Sequence, residues 1–292
     1  MDQKGKTVLE LVPAIRMMMS EQSLKSGSFV ELDQLIETDP EKITVRLGRT
    51  ISVFRGDPGD VLKQIEAAKA DIGEYMYIEE LGLLGLSSNK SKVEQKLATV
   101  RKESRGADLP EPVASPQFRK PLYNRVVAIT GGAMGFGEGI ARHLFGEGAK
   151  VVIMDINSEA GKGLAAELNE HRSTNRAWFV EADVSRLESM ENAVYESILE
   201  FSGLDVLISN AGILKAGSIE EMNEQDFDQV TRVNYRGYFN CVKAVAPVMK
   251  LQNQYAAHNY GDIIQINSKS GLEGSKKNFA YAGGKFGGIG LT

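Results

Sequence analysis

The chain has 292 residues, a formal net charge of −5 and a single cysteine, Cys241. The acidic balance excludes a general nucleic-acid binder, which needs a basic face, and one cysteine excludes an internal disulfide and fits a reducing compartment. The longest apolar runs are far shorter than the ~20 residues of a membrane helix, and the N-terminus lacks the pattern of a signal peptide. We therefore expect a cytoplasmic protein that binds neither nucleic acid nor membrane.

Residues 1–104 predict a small mixed α/β region of unknown role. TVLELVPAIRMMM has helical spacing of apolar residues, with Pro13 as a break. ITVRLGRTISVF alternates apolar and polar residues around Gly48 and predicts a hairpin. DVLKQIEAAKADI, with Asp60 as its N-cap, and SKVEQKLATVRKES predict helices. The region contains no His or Cys, and the histidines elsewhere lack ligand spacing, so we predict no metal site.

Residues 105–121, RGADLPEPVASPQFRKP, carry four of the eight prolines and predict an extended linker. After the linker, short runs rich in Val and Ile alternate with helical stretches. The runs are RVVAIT, KVVIMDI, AWFVEADV, DVLISNA and DIIQINS. Continuous apolar strands that alternate with helices indicate a parallel sheet covered on both faces. Residues 122–292 are therefore predicted to form a doubly wound α/β (Rossmann) domain.

The first of these strands leads into TGGAMGFGEG, where Gly131, Gly135 and Gly137 separate the strand from a helix. Glycines at such a turn let backbone N–H groups approach a pyrophosphate at the helix N-terminus. The second strand ends in Asp155, at the position where a carboxylate accepts hydrogen bonds from the ribose hydroxyls and repels a 2′-phosphate. The pattern predicts NAD as the cofactor. The alternative interpretation of Asp155 alone is a helix N-cap.

These residues and later motifs resemble the classical short-chain dehydrogenases/reductases over residues 122–292. TGGAMGFG resembles the family's TGxxxGxG turn, ADV its adenine-side motif, NAG its sheet-stabilising motif, and YAGGK its Tyr-x-x-x-Lys pair. The departures are Phe136, where the family has an aliphatic residue, and Gly283–Gly284. The resemblance implies these cofactor-binding residues: Gly131, Gly135, Phe136, Gly137, Asp155, Asp183, Val184, Asn210, Ala211, Gly212, Tyr281 and Lys285. It implies a catalytic set of Asn234, Ser268, Tyr281 and Lys285.

The catalytic prediction also follows from chemistry. Tyr281 and Lys285 are one helical turn apart and share a helix face. A free tyrosine is a poor base at neutral pH, but a nearby ammonium and a positive nicotinamide favour its phenolate. Tyr281 would then take the hydroxyl proton during oxidation and return it during reduction, while Ser268 holds the substrate oxygen. The resemblance implies that Asn234 positions a water in a proton relay through Lys285.

Lys269, Lys276 and Lys277 lie close in sequence to Ser268 and Tyr281. As point charges they could hold a substrate phosphate; the alternative is an ordinary solvated loop. The stretch from DIIQINSKSG to KFGGIGLT resembles the active-site stretch of sorbitol-6-phosphate 2-dehydrogenases. That implies NAD-dependent oxidation of a phosphorylated polyol, sorbitol 6-phosphate, to fructose 6-phosphate. A dehydrogenase for a neutral polyol or another carbonyl substrate and a non-catalytic NAD-binding regulator remain alternatives.

The family resemblance also bears on the two ends of the chain. Thr292 falls inside the helix of Tyr281 and Lys285, and the family pattern implies two further strands, so we expect a C-terminally incomplete sheet and a fragment. IEELGLLGLSSNKSKVEQKL distantly resembles the tail of class II aldolase-like domains, which implies a scaffold or assembly role without a second activity. The family also implies a homo-oligomer.

Overall fold

The structure is a computed structural model that describes residues 2–20, 25–87, 90–102, 120–172, 176–256 and 261–292. The N-terminal unit contains α1 (Gln3–Met18), β1 (Ser26–Glu31), a 3-10 turn (Leu32–Gln34), α2 (Pro40–Leu47), β2 (Ser52–Phe54), α3 (Pro58–Ala68), β3 (Tyr75–Ile78), β4 (Gly82–Ser87) and α4 (Lys90–Leu97). The C-terminal unit contains β5 (Val126–Thr130), α5 (Gly135–Gly146), β6 (Lys150–Asp155), α6 (Ser158–Arg172), β7 (Ala177–Glu181), α7 (Leu187–Phe201), β8 (Val206–Ser209), α8 (Glu224–Thr231), a π-helical segment (Arg232–Arg236), α9 (Gly237–Tyr255), β9 (Asp262–Gln265), α10 (Ser270–Glu273) and α11 (Phe279–Leu291).

The C-terminal unit is built on a five-stranded, entirely parallel sheet with the order β7-β6-β5-β8-β9. Each of the five apolar runs in the sequence contains one of these strands, so the predicted doubly wound α/β fold is confirmed. Every residue of β5 and β6 is buried because helices cover both faces of the sheet. The strand order reverses between β5 and β8, and a doubly wound sheet binds its ligand at such a switch point.

The N-terminal unit has a separate four-stranded sheet with the order β1-β4-β3-β2. β4 pairs antiparallel with both β1 and β3, whereas β2 pairs parallel with β3. All residues of β3 and β4 are buried. The sequence interpretation did not predict β1, β3 or β4.

The two units share a hydrophobic core. Buried residues of α1, including Val8, Leu11 and Ile15, belong to the same apolar cluster as Val126 of β5 and Val245 of α9. A second cluster fills the opposite face of the five-stranded sheet. The N-terminal unit therefore supplies part of the apolar cover of one face of the five-stranded sheet.

A buried ion pair lies where the two units meet. Both guanidinium NH groups of Arg16 in α1 donate to the carboxylate of Asp205, at 2.9 and 2.7 Å, and both side chains are almost fully buried. Asp205 also accepts from the N–H of Val126 at 2.7 Å. Burial alone raises the pKa of the Asp205 carboxyl, but the Arg16 guanidinium and these hydrogen bonds outweigh burial and hold the pKa below its ordinary value.

Two predictions for the N-terminal unit were wrong. Pro13 does not break α1, which runs through it; the proline is buried, and packing against α9 outweighs the lost backbone hydrogen bond. Gly48 does not centre a hairpin. It is the left-handed C-cap of α2, whose N-terminus is capped by Asp39 and opened by Pro40, and only Ser52–Phe54 forms a strand.

The helix boundaries also need correction. The N-cap of α3 is Asp57, not Asp60; the Asp57 carboxylate accepts the N–H of Asp60 at 2.9 Å, and Pro58 begins the helix. The helix predicted over SKVEQKLATVRKES ends at Leu97. The predicted linker lies outside the described residues, except for Lys120 and Pro121. No helix in the described ranges is both long and apolar enough to cross a bilayer.

We expect Arg16→Met to lower the free energy of unfolding by about 3–5 kcal/mol, because it leaves the Asp205 carboxylate buried without its counterion. Urea denaturation followed by circular dichroism measures this loss. Lys63→Ala is the control, since Lys63 forms an exposed pair with Asp60 at 3.4 Å and its removal should cost less than about 1 kcal/mol. Equal effects of the two substitutions would contradict the prediction.

The same pair makes stability depend on pH. The pKa of Asp205 is lower in the folded state than in the unfolded state. Its contribution to the free energy of unfolding is therefore fully present above about pH 4, the ordinary pKa of aspartate, and is lost as the pH falls through the lowered pKa. In Arg16→Met this part of the acid dependence should disappear.

Candidate active site

A cleft of about 1160 Å³ opens at the carboxyl ends of the parallel strands. Its lining combines residues from the loops after all five strands with residues of the π-helical segment and α11. Of the predicted site residues, the cleft brings together Gly131, Phe136, Asp155, Asp183, Val184, Asn210, Ala211, Gly212, Ser268, Tyr281 and Lys285. Gly135, Gly137, Asn234, Lys269, Lys276 and Lys277 are not among the described lining residues.

The glycine turn after β5 is closely packed. Gly131 has a φ of 62°, and a Cβ there would lie 2.9 Å from the Cα of Ala211. A Cβ on Gly137 would lie 1.9 Å from the carbonyl oxygen of Gly131. Gly135 begins α5 with a φ of 57°. The contacts at Gly131 and Gly137 leave no room for side chains, and the positive φ at Gly135 disfavours one. The backbone of the turn and the start of α5 can therefore lie directly against a ligand's pyrophosphate.

The NAG motif braces this turn. The Asn210 amide nitrogen donates to the carbonyl oxygens of Thr130 and Gly131, both at 3.1 Å. In return the Thr130 hydroxyl accepts the N–H groups of Asn210 and Ala211, also at 3.1 Å. These four hydrogen bonds join the loop after β8 to the glycine turn after β5 across the switch point of the sheet.

Two carboxylates line the part of the cleft that follows β6 and β7. Asp155 ends β6; its two oxygens accept the N–H groups of Ala133 and Asn157, each at 3.0 Å. Asp183 follows β7 and accepts the N–H of Ser185 at 2.9 Å. These bonds orient both side chains. Asp155 is thus both a turn-stabilising residue and a cleft residue. The alternative N-cap interpretation of Asp155 is wrong, because the side chain that caps α6 is Asn157, which accepts the N–H of Ala160 at 3.1 Å.

Ser268, Tyr281 and Lys285 lie together at the end of the cleft next to β9. The Lys285 ammonium donates to the carbonyl oxygen of Ile266 at 2.6 Å and lies 5.7 Å from the centre of the Tyr281 ring. Burial lowers the pKa of Lys285, because desolvation disfavours the charged form. The Ser268 hydroxyl oxygen accepts the N–H of Ser270 at 3.3 Å, which leaves its proton free to be donated.

Asn267 is a site residue that the sequence interpretation missed. Its amide nitrogen donates to the Lys285 carbonyl oxygen at 3.0 Å, and its amide oxygen accepts the Ser268 N–H at 2.7 Å. Asn267 therefore ties the strand end that carries Ser268 to the helix that carries Lys285. Its position directly before Ser268 was the available signal.

Asn234 lies in the π-helical segment and is buried. Its side-chain oxygen accepts the N–H of Ile213 and its nitrogen donates to the carbonyl oxygen of the same residue, both at 2.8 Å. The side chain thus holds the segment against the loop after β8. α11 approaches closely, since a Cβ on Gly284 would lie 3.3 Å from the Asn234 Cβ. That close approach gives a physical reason for Gly284 between Tyr281 and Lys285.

The three predicted phosphate-binding lysines lie on the surface. Lys269 is exposed and its ammonium lies 3.3 Å from the Glu273 carboxylate. Lys276 and Lys277 are exposed in the loop before α11, where the Lys277 carbonyl oxygen accepts the N–H of Gly217. Arg232 and Gln229, which the sequence interpretation did not single out, do line the cleft.

Comparison with known proteins agrees with this geometry. The family model for short chain dehydrogenases matches residues 125–292, and the chain belongs to that family, whose members bind nicotinamide cofactors. It is 37% identical over 175 residues to a trans-4-hydroxycyclohexanecarboxylate dehydrogenase of Sinomonas cyclohexanicum, covering 59% of this chain and 65% of the relative. It is 36% identical over 170 residues to the sorbitol-6-phosphate 2-dehydrogenase of Escherichia coli K12, covering 58% of this chain and 63% of the relative.

Solved structures give the same result. A sorbitol-6-phosphate 2-dehydrogenase from Erwinia amylovora superposes with a TM-score of 0.53 at 34% identity, covering 57% of this chain and 63% of that one. Levodione reductase superposes with a TM-score of 0.54 at 32% identity, covering 59% of this chain and 64% of that one. The chain thus spans less than two thirds of the length of these relatives.

We expect Gly137→Ala to weaken NADH binding roughly 10- to 100-fold. The new methyl group would displace the Gly131 carbonyl, and overpacking of this size costs about 1–3 kcal/mol. Gly139→Ala is the matched control on the same helix, because a Cβ there meets no atom within 4 Å. Titration of NADH fluorescence measures both affinities. Similar affinities for the two variants would contradict the close-packed turn as the cofactor site.

Proposed function

We propose that the chain's dehydrogenase unit oxidises sorbitol 6-phosphate at carbon 2 to fructose 6-phosphate with NAD, and catalyses the reverse reduction with NADH. The observation that carries the proposal is the convergence of Ser268, Tyr281 and Lys285 in the same cleft as the glycine turn and Asp155. The similarity to sorbitol-6-phosphate 2-dehydrogenases supports this substrate. Because similar relatives include a hydroxysteroid dehydrogenase, the similarity supports the reaction type more strongly than the substrate.

The residues present fit a nicotinamide dinucleotide. The glycine turn offers bare backbone for the pyrophosphate, Asp155 and Asp183 lie where the adenosine end would sit, and the catalytic trio lies at the other end. When bound, the nicotinamide ring supplies the hydride acceptor or donor. The negative charge of Asp155 would repel a 2′-phosphate, which favours NAD over NADP.

The protein's side chains would handle the proton. In oxidation the substrate carbon loses a hydride while its hydroxyl proton passes to the phenolic oxygen of Tyr281. The Ser268 hydroxyl donates a hydrogen bond to the substrate oxygen and holds it in place. The Lys285 ammonium stabilises negative charge on Tyr281, and its lowered pKa lets it release a proton more readily than a solvated lysine. We propose that a water held near Asn234 carries that proton onward.

We expect NADH formation from NAD to be much faster with sorbitol 6-phosphate than with sorbitol, and NADPH formation from NADP with sorbitol 6-phosphate to be much slower than NADH formation from NAD. Tyr281→Phe should lower kcat by about 100-fold or more, the usual contribution of a positioned general base. Tyr255→Phe, on α9 and away from the cleft, is the control. Equal rates with sorbitol would instead support a neutral-polyol dehydrogenase. NADH binding without any turnover would support the non-catalytic regulator.

We also propose that copies of the chain associate through an exposed apolar patch. The patch consists of Tyr235, Phe239, Phe286 and Ile289, on the π-helical segment, α9 and α11. The Tyr235 ring lies against Gly287, so the residues from the two helices are adjacent. Large apolar side chains grouped on two neighbouring helices are typical of a surface that another subunit covers.

Phe239→Asp should therefore reduce the molar mass measured by size-exclusion chromatography with light scattering, because a charge would be buried in the interface. Val45→Asp is the control: Val45 is an apolar residue on α2 of the N-terminal unit and is more exposed than Phe239. An unchanged mass for Phe239→Asp, or an equal change for both variants, would argue against this patch.

A further inference from the structure

Arg232 is the ionic side chain of the cleft that the reaction described above does not use. The charged residues of the described lining are Asp155, Asp183, Arg232 and Lys285. Both aspartates accept backbone N–H groups, and the Lys285 ammonium donates to the Ile266 carbonyl oxygen. No such hydrogen bond or ion pair engages the Arg232 side chain within the described ranges. Its five N–H donors are therefore available to a ligand.

In the part of the chain that the structure describes, Arg232 forms no ion pair with the acidic residue that is nearest to it along the helix. Asp228 lies four residues earlier, the spacing at which oppositely charged side chains on a helix pair. The backbone N–H of Arg232 bonds to the carbonyl oxygen of Asp228, yet within the described structure the two side chains form no ion pair. Arg232 lines the cleft instead, and so does Gln229, which lies three residues before it and therefore on the same helix face.

The backbone that follows Arg232 is held at two points. Two residues later, the Asn234 side chain is fixed to Ile213 by two hydrogen bonds. Five residues after Arg232, a Cβ on Gly237 would lie 2.9 Å from Val184, so the start of α9 packs tightly against the loop after β7. The segment that begins with Arg232 is thus followed by contacts to both the loop after β7 and the loop after β8, and Arg232 lines the cleft that these loops enclose.

We propose that Arg232, assisted by Gln229, binds a phosphoryl group in the cleft. A guanidinium matches two oxygens of a phosphate with two parallel N–H donors, and the cleft's other cation, Lys285, is buried beside Tyr281. Two ligands bring phosphoryl groups there: the dinucleotide and the phosphorylated substrate. The substrate source rests on the proposed function, whereas the dinucleotide source does not.

The experiment compares Arg232→Gln with Arg236→Gln, an exposed arginine on the same π-helical segment that is not among the described cleft residues. NADH affinity is measured by fluorescence, fructose 6-phosphate affinity by calorimetry, and KM with sorbitol 6-phosphate and with sorbitol. Loss of one charge-assisted contact should weaken the affected ligand about 10- to 100-fold. Arg232→Lys should recover part of the loss, and thermal unfolding should be unchanged.

Each outcome assigns or removes the site. Weaker NADH binding in Arg232→Gln alone assigns the cofactor phosphate. Weaker fructose 6-phosphate binding and a higher KM for sorbitol 6-phosphate, but not for sorbitol, assign the substrate phosphate. If Arg232→Gln behaves like Arg236→Gln in both titrations, or if the unsubstituted protein binds neither ligand, the proposal is overturned. Arg232-dependent NADH binding without sorbitol 6-phosphate oxidation would overturn the proposed function and leave this site standing.

Discussion

The bidentate pair between Arg16 and Asp205 is the contact on which the architecture depends. Asp205 stands directly before β8, and its backbone and carboxylate also bond to β5 and to the start of β9. A carboxylate so fully removed from water needs a counterion, and that counterion comes from α1, 189 residues earlier in the chain. The central strands of the parallel sheet and the N-terminal helix are therefore parts of one electrostatic arrangement.

This arrangement stabilises the end of the sheet opposite the cleft. At the carboxyl edge the demands are different: backbone must come close to backbone, and polar side chains must be held without filling the cleft. Asn210, Asn234 and Asn267 meet those demands. Each uses its amide to join one loop of the cleft to a neighbouring element, and so the loops that would surround a cofactor are held by the chain's own hydrogen bonds.

The large sheet could be predicted from the sequence because buried parallel strands leave continuous apolar runs, and each run found here contains a strand. The cofactor turn and the catalytic trio could be found because their spacing is local: a glycine turn, one helical turn between Tyr281 and Lys285. The N-terminal unit could not. Pro13 and Gly48 carry local signals that have two structural solutions, and packing against α9 decided the first.

Contacts between distant segments could not be predicted from the sequence either. Nothing near Arg16 in sequence points to Asp205. Conversely, Lys269, Lys276 and Lys277 were grouped because they are neighbours in sequence, but α10 and the loop before α11 carry them along the surface. Arg232 is distant from Ser268 in sequence, and only the folded chain brings both residues to one cleft.

The π-helical segment has a consequence for the chain's tolerance of length changes. A π turn is an α-helix with one additional residue in its register, and each residue of an α-helix advances the side-chain direction by ~100°. Deleting one residue between Arg232 and Arg236 would make α8 and α9 a regular helix. That would rotate Gln229 and Arg232 away from the cleft, or Tyr235 and Phe239 away from their common face with α11. At this point of the chain, the length of the helix matters as much as the identity of its residues.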